Sequence, residues 1–379
     1  MKIAIFDYLI TSTNPAGSCH RSLLTALADE YEFTVFSHAL DPPVRQKVNW
    51  VRVPVICRPL AVLFLTFHMS ALLRYCAARF RRSRFALIQS VESNLAFADV
   101  VYSHFCHRWF LRHRWRDCRV SGLRGVLRWL DHALRAMAEP WALRRARWIV
   151  VPSTGLMREL KSEYPFTSHK ISVIPNPIDV KSFQRPPDFD AQRARSELKI
   201  GSNQLMMVFI ALGHFERKGL PLLLEAVASV PNSPWKLIVV GGTRAMVSDY
   251  EKRSAALGLT DRVHFVGYQQ NIRPFLWASD LFAMPTHYES FFLAAFEAAA
   301  AQCPVLTTSV NGVEECLNSS NAFIVTPDVK AIVDALNHFQ RQTSLEREAA
   351  TSRAFRAVSA YGLEEFAGAW RAFYRKIGQ

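Results

Sequence analysis

The chain has 379 residues, half of them apolar, with no low-complexity tract and no internal repeat. Disorder is therefore not the default, and there is room for two domains that each bury a core. The formal charge is +14 and all of it sits in one half: residues 1–185 carry 27 basic and 13 acidic side chains, whereas the remaining 19 of each sign cancel. Such asymmetry points one domain at an anionic partner.

Lys2-Ile-Ala-Ile-Phe-Asp7 has no basic-then-apolar leader before it, and seven cysteines without a Cys-x-x-Cys fit free thiols in a reducing cytoplasm. Lys2 to Ile10 reads as a buried strand. Asn14-Pro-Ala-Gly-Ser18 reads as a turn, Arg21 to Tyr31 as an amphipathic helix and Phe33 to Ser37 as a second strand. Strand, glycine-containing loop, helix and strand open a doubly wound sheet, and Gly17 would let the loop backbone approach a ligand. Leu60 to Leu73 is apolar but is interrupted by His68 and Ser70 and is shorter than the roughly 20 residues of a membrane span. Arg74, Arg79, Arg81, Arg82 and Arg84 follow at once. This run is either a helix in a membrane interface or a core helix with a solvated end.

Phe85 to Val91 and Ala98 to Tyr102 read as two further strands, the second leading into Ser103-His-Phe-Cys-His-Arg-Trp-Phe110. His104, Cys106, His107, His113 and Cys118 lie close together but lack the paired spacing of a structural zinc site, so no metal is expected. From Arg108 to Trp148 stand eleven arginines, five tryptophans and three acids. His107, Arg108, Trp109, Arg112, Arg114 and Trp115 begin this stretch and are candidates for acceptor or membrane contact. Arg beside Trp at helical spacing suits an anionic membrane, with indoles at headgroup depth and guanidinium groups on phosphates. The same composition would also fit nucleic acid, or long helices with solvated basic faces.

Ala146 to Pro152 reads as a strand with Ser153 starting a helix. Gln184-Arg-Pro-Pro-Asp-Phe-Asp190 reads as a linker, which places the domains at 1–183 and 191–360. The alternation then repeats: strand Leu205 to Leu212, loop Gly213-His-Phe-Glu-Arg-Lys-Gly219, helix Leu220 to Val230, then strands Trp235 to Gly242, Arg262 to Gly267, Asp280 to Met284 and Pro304 to Ser309. After Pro285 a short loop carries Glu289, and Ser290 can cap an Ala-rich helix. A helix N-terminus offers N–H groups to phosphate, and Glu297 lies roughly 12 Å further along the axis. One carboxylate could hold a sugar and the other a ribose, with a diphosphate between them.

Glu289-x7-Glu297 at a strand–helix junction, followed by Cys303-Pro-Val-Leu-Thr-Thr-Ser-Val-Asn-Gly312, resembles the retaining glycosyltransferases of family 4. Lys170-Ile-Ser-Val-Ile-Pro-Asn-Pro-Ile-Asp179 is similar to that family's motif at the end of the first domain, with Asn176-Pro177 departing at a glycine position. The resemblance implies an α/β fold of the GT-B type: two Rossmann-like doubly wound domains facing a central cleft, with a C-terminal helix at about 363–379 packing back on the first.

For the site, the resemblance implies that Glu289 orients the donor sugar, Glu297 takes the ribose, and Arg217 and Lys218 neutralise the diphosphate with the helix start at Ser290, Phe292 and Leu293. Gly17 and Gly213 would lie near the donor and Tyr268 near its base. His104, with His107 as second choice, would position a sugar hydroxyl. The family more often has Arg at His214 and glycine at Phe292 and Gln302, and Phe292 would narrow the donor pocket. The expected activity is metal-independent and cofactor-free transfer of a hexose from a UDP-sugar, or a GDP-sugar, to a membrane-associated glycan acceptor, at the inner face of the cell membrane, with no nucleic acid. The alternatives are an inactive scaffold of the same fold and a basic nucleic-acid binder.

Overall fold

A computed structural model describes residues 1–12, 14–80, 84–120 and 122–378, so Arg81 and Arg82 of the arginine run lie outside it. The chain divides into two compact units. Residues 1–116, 120–177 and 363–379 form the first, and residues 117–119 and 178–362 the second.

The first unit is built on a parallel sheet of seven strands. These are β1 (Lys2–Phe6), β3 (Glu32–Ser37), β5 (Asn49–Arg52), β6 (Leu87–Val91), β7 (Val100–Tyr102), β8 (Trp148–Val151) and β9 (Ile171–Val173), in the order β5-β3-β1-β6-β7-β8-β9. Their apolar runs suit a sheet covered on both faces. The expected strand Lys2 to Ile10 is broken. Leu9–Ile10 (β2) instead pairs with Ala39–Leu40 (β4), and Asp7 at the break turns its carboxylate to His20.

Helix α1 (Pro15–Leu27) starts six residues before the expected Arg21, because Asn14 accepts from Gly17 N–H and Pro15 is preset for a first turn. Gly17 is therefore inside a helix and not in an open loop. A Cβ there would sit 1.8 Å from the Leu9 carbonyl oxygen, so the close approach of α1 to the chain after β1 requires glycine.

Helix α2 (Leu60–Phe80) runs seven residues past the apolar stretch and buries Leu63, Phe64, Phe67 and Ala71. Two more helices follow, α3 (His107–His113) and α4 (Gly122–Arg145). Ser153 caps the helix Thr154–Glu163 by accepting from Leu156 N–H.

The C-terminal helix, Leu363–Gly378, belongs to this unit. It places Phe366, Trp370, Phe373 and Tyr374 in one cluster with Ile3, Val35 and Tyr102, and its Arg371 grips Glu30 at 2.6 Å. Beneath it runs a buried polar chain. Tyr374 Oη donates to Gln89 Oε1 (2.8 Å), Gln89 Nε2 donates to His20 Nε2 (2.9 Å), and His20 Nδ1–H then donates to Asp7 Oδ2 (3.0 Å). The amide direction fixes the imidazole tautomer.

The second unit carries six parallel strands: β10 (Leu205–Ile210), β11 (Trp235–Val240), β12 (Val263–Gly267), β13 (Leu281–Met284), β14 (Val305–Thr308) and β15 (Phe323–Val325). Their order is β12-β11-β10-β13-β14-β15. Helix α5 (Leu220–Ala228) follows β10, and α6 (Leu293–Ala300) follows β13. The boundary falls at Pro177/Ile178 and not in the Pro-rich stretch after 183. Ile178 N–H donates to Tyr361 O and Trp277 Nε1 to Phe183 O, which ties that stretch to the second unit.

Candidate active site

In the second unit, two loops at the carboxyl ends of β10 and β13 are bound to each other. These two strands are neighbours, and ligands of such sheets gather at that edge. Gly219 has φ +81°, and a Cβ on it would meet the Pro285 carbonyl oxygen at 2.0 Å, so only glycine permits the approach. Arg217 O accepts from His287 N–H at 2.8 Å and lies 3.1 Å from Thr286 Oγ1.

This contact assembles a charged cluster. Lys218 Nζ lies 2.6 Å from Glu289 Oε1, and Arg217 donates from one guanidinium nitrogen to Glu289 Oε2 (3.3 Å) and to Tyr288 O (2.7 Å). Thr286 Oγ1 lies 3.2 Å from the same carboxylate. Burial alone would raise the Glu289 carboxyl, but Arg217 and Lys218 outweigh it and hold it below the usual range. Burial lowers the Lys218 ammonium, and Glu289 only partly restores it. Two cations thus face one carboxylate, which leaves a positive surplus suited to a diphosphate.

Glu297 lies on the second turn of α6, partly exposed, and its carboxylate makes no hydrogen bond among the described residues. Burial pushes its carboxyl up to about 7, with Lys218 pulling the other way. Of the two acids, Glu289 is paired with Arg217 and Lys218, whereas Glu297 has no ion pair among the described residues.

Several expected positions are corrected. Phe292, not Ser290, occupies the cap of α6, and no side chain caps it. Leu293 N–H is not free for phosphate, because it donates to Phe291 O at 3.3 Å in a tight turn. The Phe292 ring is 1% exposed and packs under Lys218 Nζ (5.2 Å), so it lines the core instead of narrowing an opening. Gly213 has ordinary room around it, with only Met246 Sδ at 4.0 Å. Tyr268 stands exposed just after β12.

In the first unit, His104 follows β7, packed 4.1 Å from the Tyr102 ring, with its Nε2 buried and without a partner. Burial drives its pKa down to about 3 against the pull of Glu92, so it is neutral. His107 belongs to a different network. Its Nε2 faces Glu92 (3.3 Å), its Nδ1 faces His132 Nδ1 (2.9 Å), and its N–H donates to Glu139. Being buried, His107 cannot reach a membrane or an acceptor in solution. Among its neighbours, Arg108 stacks on Tyr164 (5.0 Å), Trp109 lies under Arg114 (5.9 Å) and Trp115 packs beside Phe110. Arg112 pairs with Glu163 at 2.8 Å, and both Arg112 and Arg114 are exposed.

Sequence reasoning missed Glu92 and Arg135. Glu92 follows β6 with φ +46°, a strained value for a residue with a side chain. Arg135 bonds both Glu92 Oε2 (3.3 Å) and Asp131 Oδ1 (3.1 Å), and together with His107 it outweighs burial to bring the Glu92 carboxyl down to about 2. No sequence spacing links 92, 107 and 135; only the adjacency of β6, β7 and α4 does. Among the described residues no group of three or more His, Cys, Asp or Glu is arranged to hold a metal ion.

Two parallel doubly wound units with this acid–base cluster define a protein of the GT-B fold. Residues 17–182 match the family described as glycosyltransferase family 4, and residues 206–342 match glycosyl transferases group 1. The chain belongs to this family of glycosyltransferases.

It is 31% identical over 217 residues to the lipopolysaccharide core biosynthesis mannosyltransferase LpsB of Rhizobium meliloti, covering 54% of this chain and 61% of that one. It is 27% identical over 281 residues to a D-inositol 3-phosphate glycosyltransferase of Mycobacterium leprae, covering 68% and 64%. The matches thus span less than two thirds of these relatives' lengths. WaaG, a glycosyltransferase involved in lipopolysaccharide biosynthesis, superposes with TM-score 0.77 at 16% identity, over 97% of this chain and 98% of that one. HepE of Anabaena in complex with UDP-glucose superposes with TM-score 0.76 at 18% identity, over 99% and 100%.

Proposed function

We propose that the chain is a retaining, metal-independent hexosyltransferase that moves a sugar from a nucleotide-sugar to a membrane-associated glycan acceptor such as a lipopolysaccharide, exopolysaccharide or lipid-linked oligosaccharide precursor. The observation that carries this is the cluster of Arg217, Lys218 and Glu289 beside the start of α6, with Glu297 on its second turn. As the bond from sugar to diphosphate breaks, negative charge grows on the leaving group. Arg217, Lys218 and the N-terminal end of α6 stabilise that charge, which is usually the largest catalytic term. Glu289 orients the donor sugar and favours positive charge at its anomeric carbon. Glu297 accepts from the ribose hydroxyls, and neutral His104 positions a sugar hydroxyl.

A UDP-sugar is favoured and a GDP-sugar is the alternative; UDP-glucose is the ligand of HepE, a structural neighbour. A glycan acceptor is supported by the likeness to LpsB. The working place proposed is the cytoplasmic face of the cell membrane. Melting curves with UDP, GDP, ADP and their sugars test the donor site. One nucleotide is expected to raise the melting temperature of the wild type and not of Lys218→Met, and no response to any of them would overturn the reading.

A further inference from the structure

Helices α2 and α4 carry outward faces that the first unit leaves uncovered. On α2 the inner face, Phe67 and Ala71 among it, packs on Phe6, Phe36 and Val53. The opposite face exposes Leu65, Met69, Leu72, Leu73 and Phe80, from 41% up to 92%. These positions recur at steps of three, four and seven residues, which is one stripe of a helix.

Helix α4 packs against α2, with its Arg135 guanidinium 5.0 Å from the Phe64 ring, and has the same two-sided character. Its inner side buries Asp131, Arg135 and Glu139, while Leu123, Leu127, Leu130, Met137 and Trp141 form an exposed stripe with Trp129 beside it. Apolar side chains exposed together on two adjoining helices form the kind of contiguous patch that marks a contact surface.

Charge selects the partner. Helix α2 contains no acid, and the two acids of α4 are buried, Asp131 on Arg135 and Glu139 on the His107 and Arg108 N–H groups. The exposed sides of both helices therefore present arginines, Arg74, Arg79, Arg124, Arg144 and Arg145, and no carboxylate. A second copy of this chain would set these arginines against one another, whereas anionic phosphates in an apolar layer meet both properties at once. Although α2 has the length and composition of a membrane span, its inner face packs on the core of the unit, which suits a helix lying along a surface better than one crossing it.

We propose that α2 and α4 together form a monolayer-inserting platform for anionic phospholipid, with Leu73, Phe80, Trp129 and Trp141 entering the acyl boundary and the arginines holding phosphates. This extends the membrane-associated part of the proposed function and uses none of the donor-site residues, so the two are tested separately.

The experiment is flotation of the full chain with vesicles of pure phosphatidylcholine and of phosphatidylcholine with phosphatidylglycerol, alongside donor-nucleotide melting shifts as a check on the second unit. The wild type is expected to bind the anionic vesicles at least tenfold more strongly than the neutral ones. Trp129→Gln/Trp141→Gln and Arg144→Glu/Arg145→Glu, all at exposed positions, are each expected to lose about tenfold while keeping the nucleotide response. Equal binding to both vesicles, unchanged binding by both variants, or a concentration-dependent dimer abolished by the tryptophan variant without vesicle binding would each overturn the proposal. Tight binding to DNA in place of vesicles would do the same.

Discussion

Lys218 Nζ and Glu289 Oε1 are 2.6 Å apart although they belong to loops after different strands, and the pair is set by the contact of Gly219 with the Pro285 carbonyl. Without a donor, the carboxylate is the counter-ion of two cations. In the proposed reaction the diphosphate takes over the cations and leaves Glu289 to the sugar. Removing Glu289 would leave Arg217 and Lys218 uncompensated in a mostly buried place, at a cost of about 3–5 kcal/mol. Glu289→Ala is therefore expected to lose transfer and also to unfold at lower denaturant, as equilibrium unfolding would report. Lys218→Met keeps Glu289 paired with Arg217, so it should lower kcat by about 10²–10³ with a smaller loss of stability.

Glu297 gives a pH dependence with a defined sign. Its carboxyl titrates at about 7 in the folded chain, against about 4.3 when unfolded, so the native state holds the proton more firmly. Its contribution to stability therefore falls as pH rises from about 4 to 7. Donor binding is expected to run the other way, because in the proposed donor complex the ionised carboxylate accepts from both ribose hydroxyls, whereas the acid has to donate with one oxygen. KM for the donor is expected to fall between pH 6 and 8, and Glu297→Gln to flatten that profile; a variant with the wild-type profile would remove Glu297 from the ribose.

His104 has a buried Nε2 with no partner, so its polarity contributes nothing visible to the fold. His104→Phe enlarges a buried ring that packs on Tyr102 and is expected to cost about 1–3 kcal/mol of stability. Turnover should drop by about 10²-fold if the imidazole positions a sugar hydroxyl. Full activity in a stable variant would mark His104 as packing alone.

The C-terminal helix is held to the first sheet by Trp370, fully buried, and by the Tyr374–Gln89–His20–Asp7 chain. Trp370→Ala is expected to cost about 3–5 kcal/mol, and Tyr374→Phe about 1–3 kcal/mol because Gln89 Oε1 loses its donor. Urea titrations of the two variants check this, with the Trp370 change the larger.

The alternation of apolar strands and helices was legible because parallel strands buried on both faces are near-continuous apolar runs, as Leu205–Ile210 illustrates. Glu289, Glu297, Arg217 and Lys218 were legible as a set through the resemblance, and the loops bring Arg217 and Lys218 onto Glu289. The start of α6 was not legible: Ser290 has the better capping side chain, but the backbone turns tightly at Phe291 and the helix begins at Leu293. Gly17 looked like a ligand loop, whereas its neighbour in space, the Leu9 carbonyl, is what demands glycine. The network of Glu92, His107, His132 and Arg135, and the pairing of Tyr374 with Gln89, join residues far apart in the chain and carry no local signal at all.

The most direct test is transfer of radiolabelled hexose from UDP-, GDP- and ADP-sugars into lipid-extractable product, with membrane extract as acceptor and the wild type beside Glu289→Ala and Lys218→Met. Label is predicted to move from one donor with the anomeric configuration retained, to fall by about 10²-fold or more in Lys218→Met, and to vanish in Glu289→Ala. Label that moves equally in all three proteins, or from no donor at all, would contradict the assignment of the Lys218–Glu289 cluster to sugar transfer.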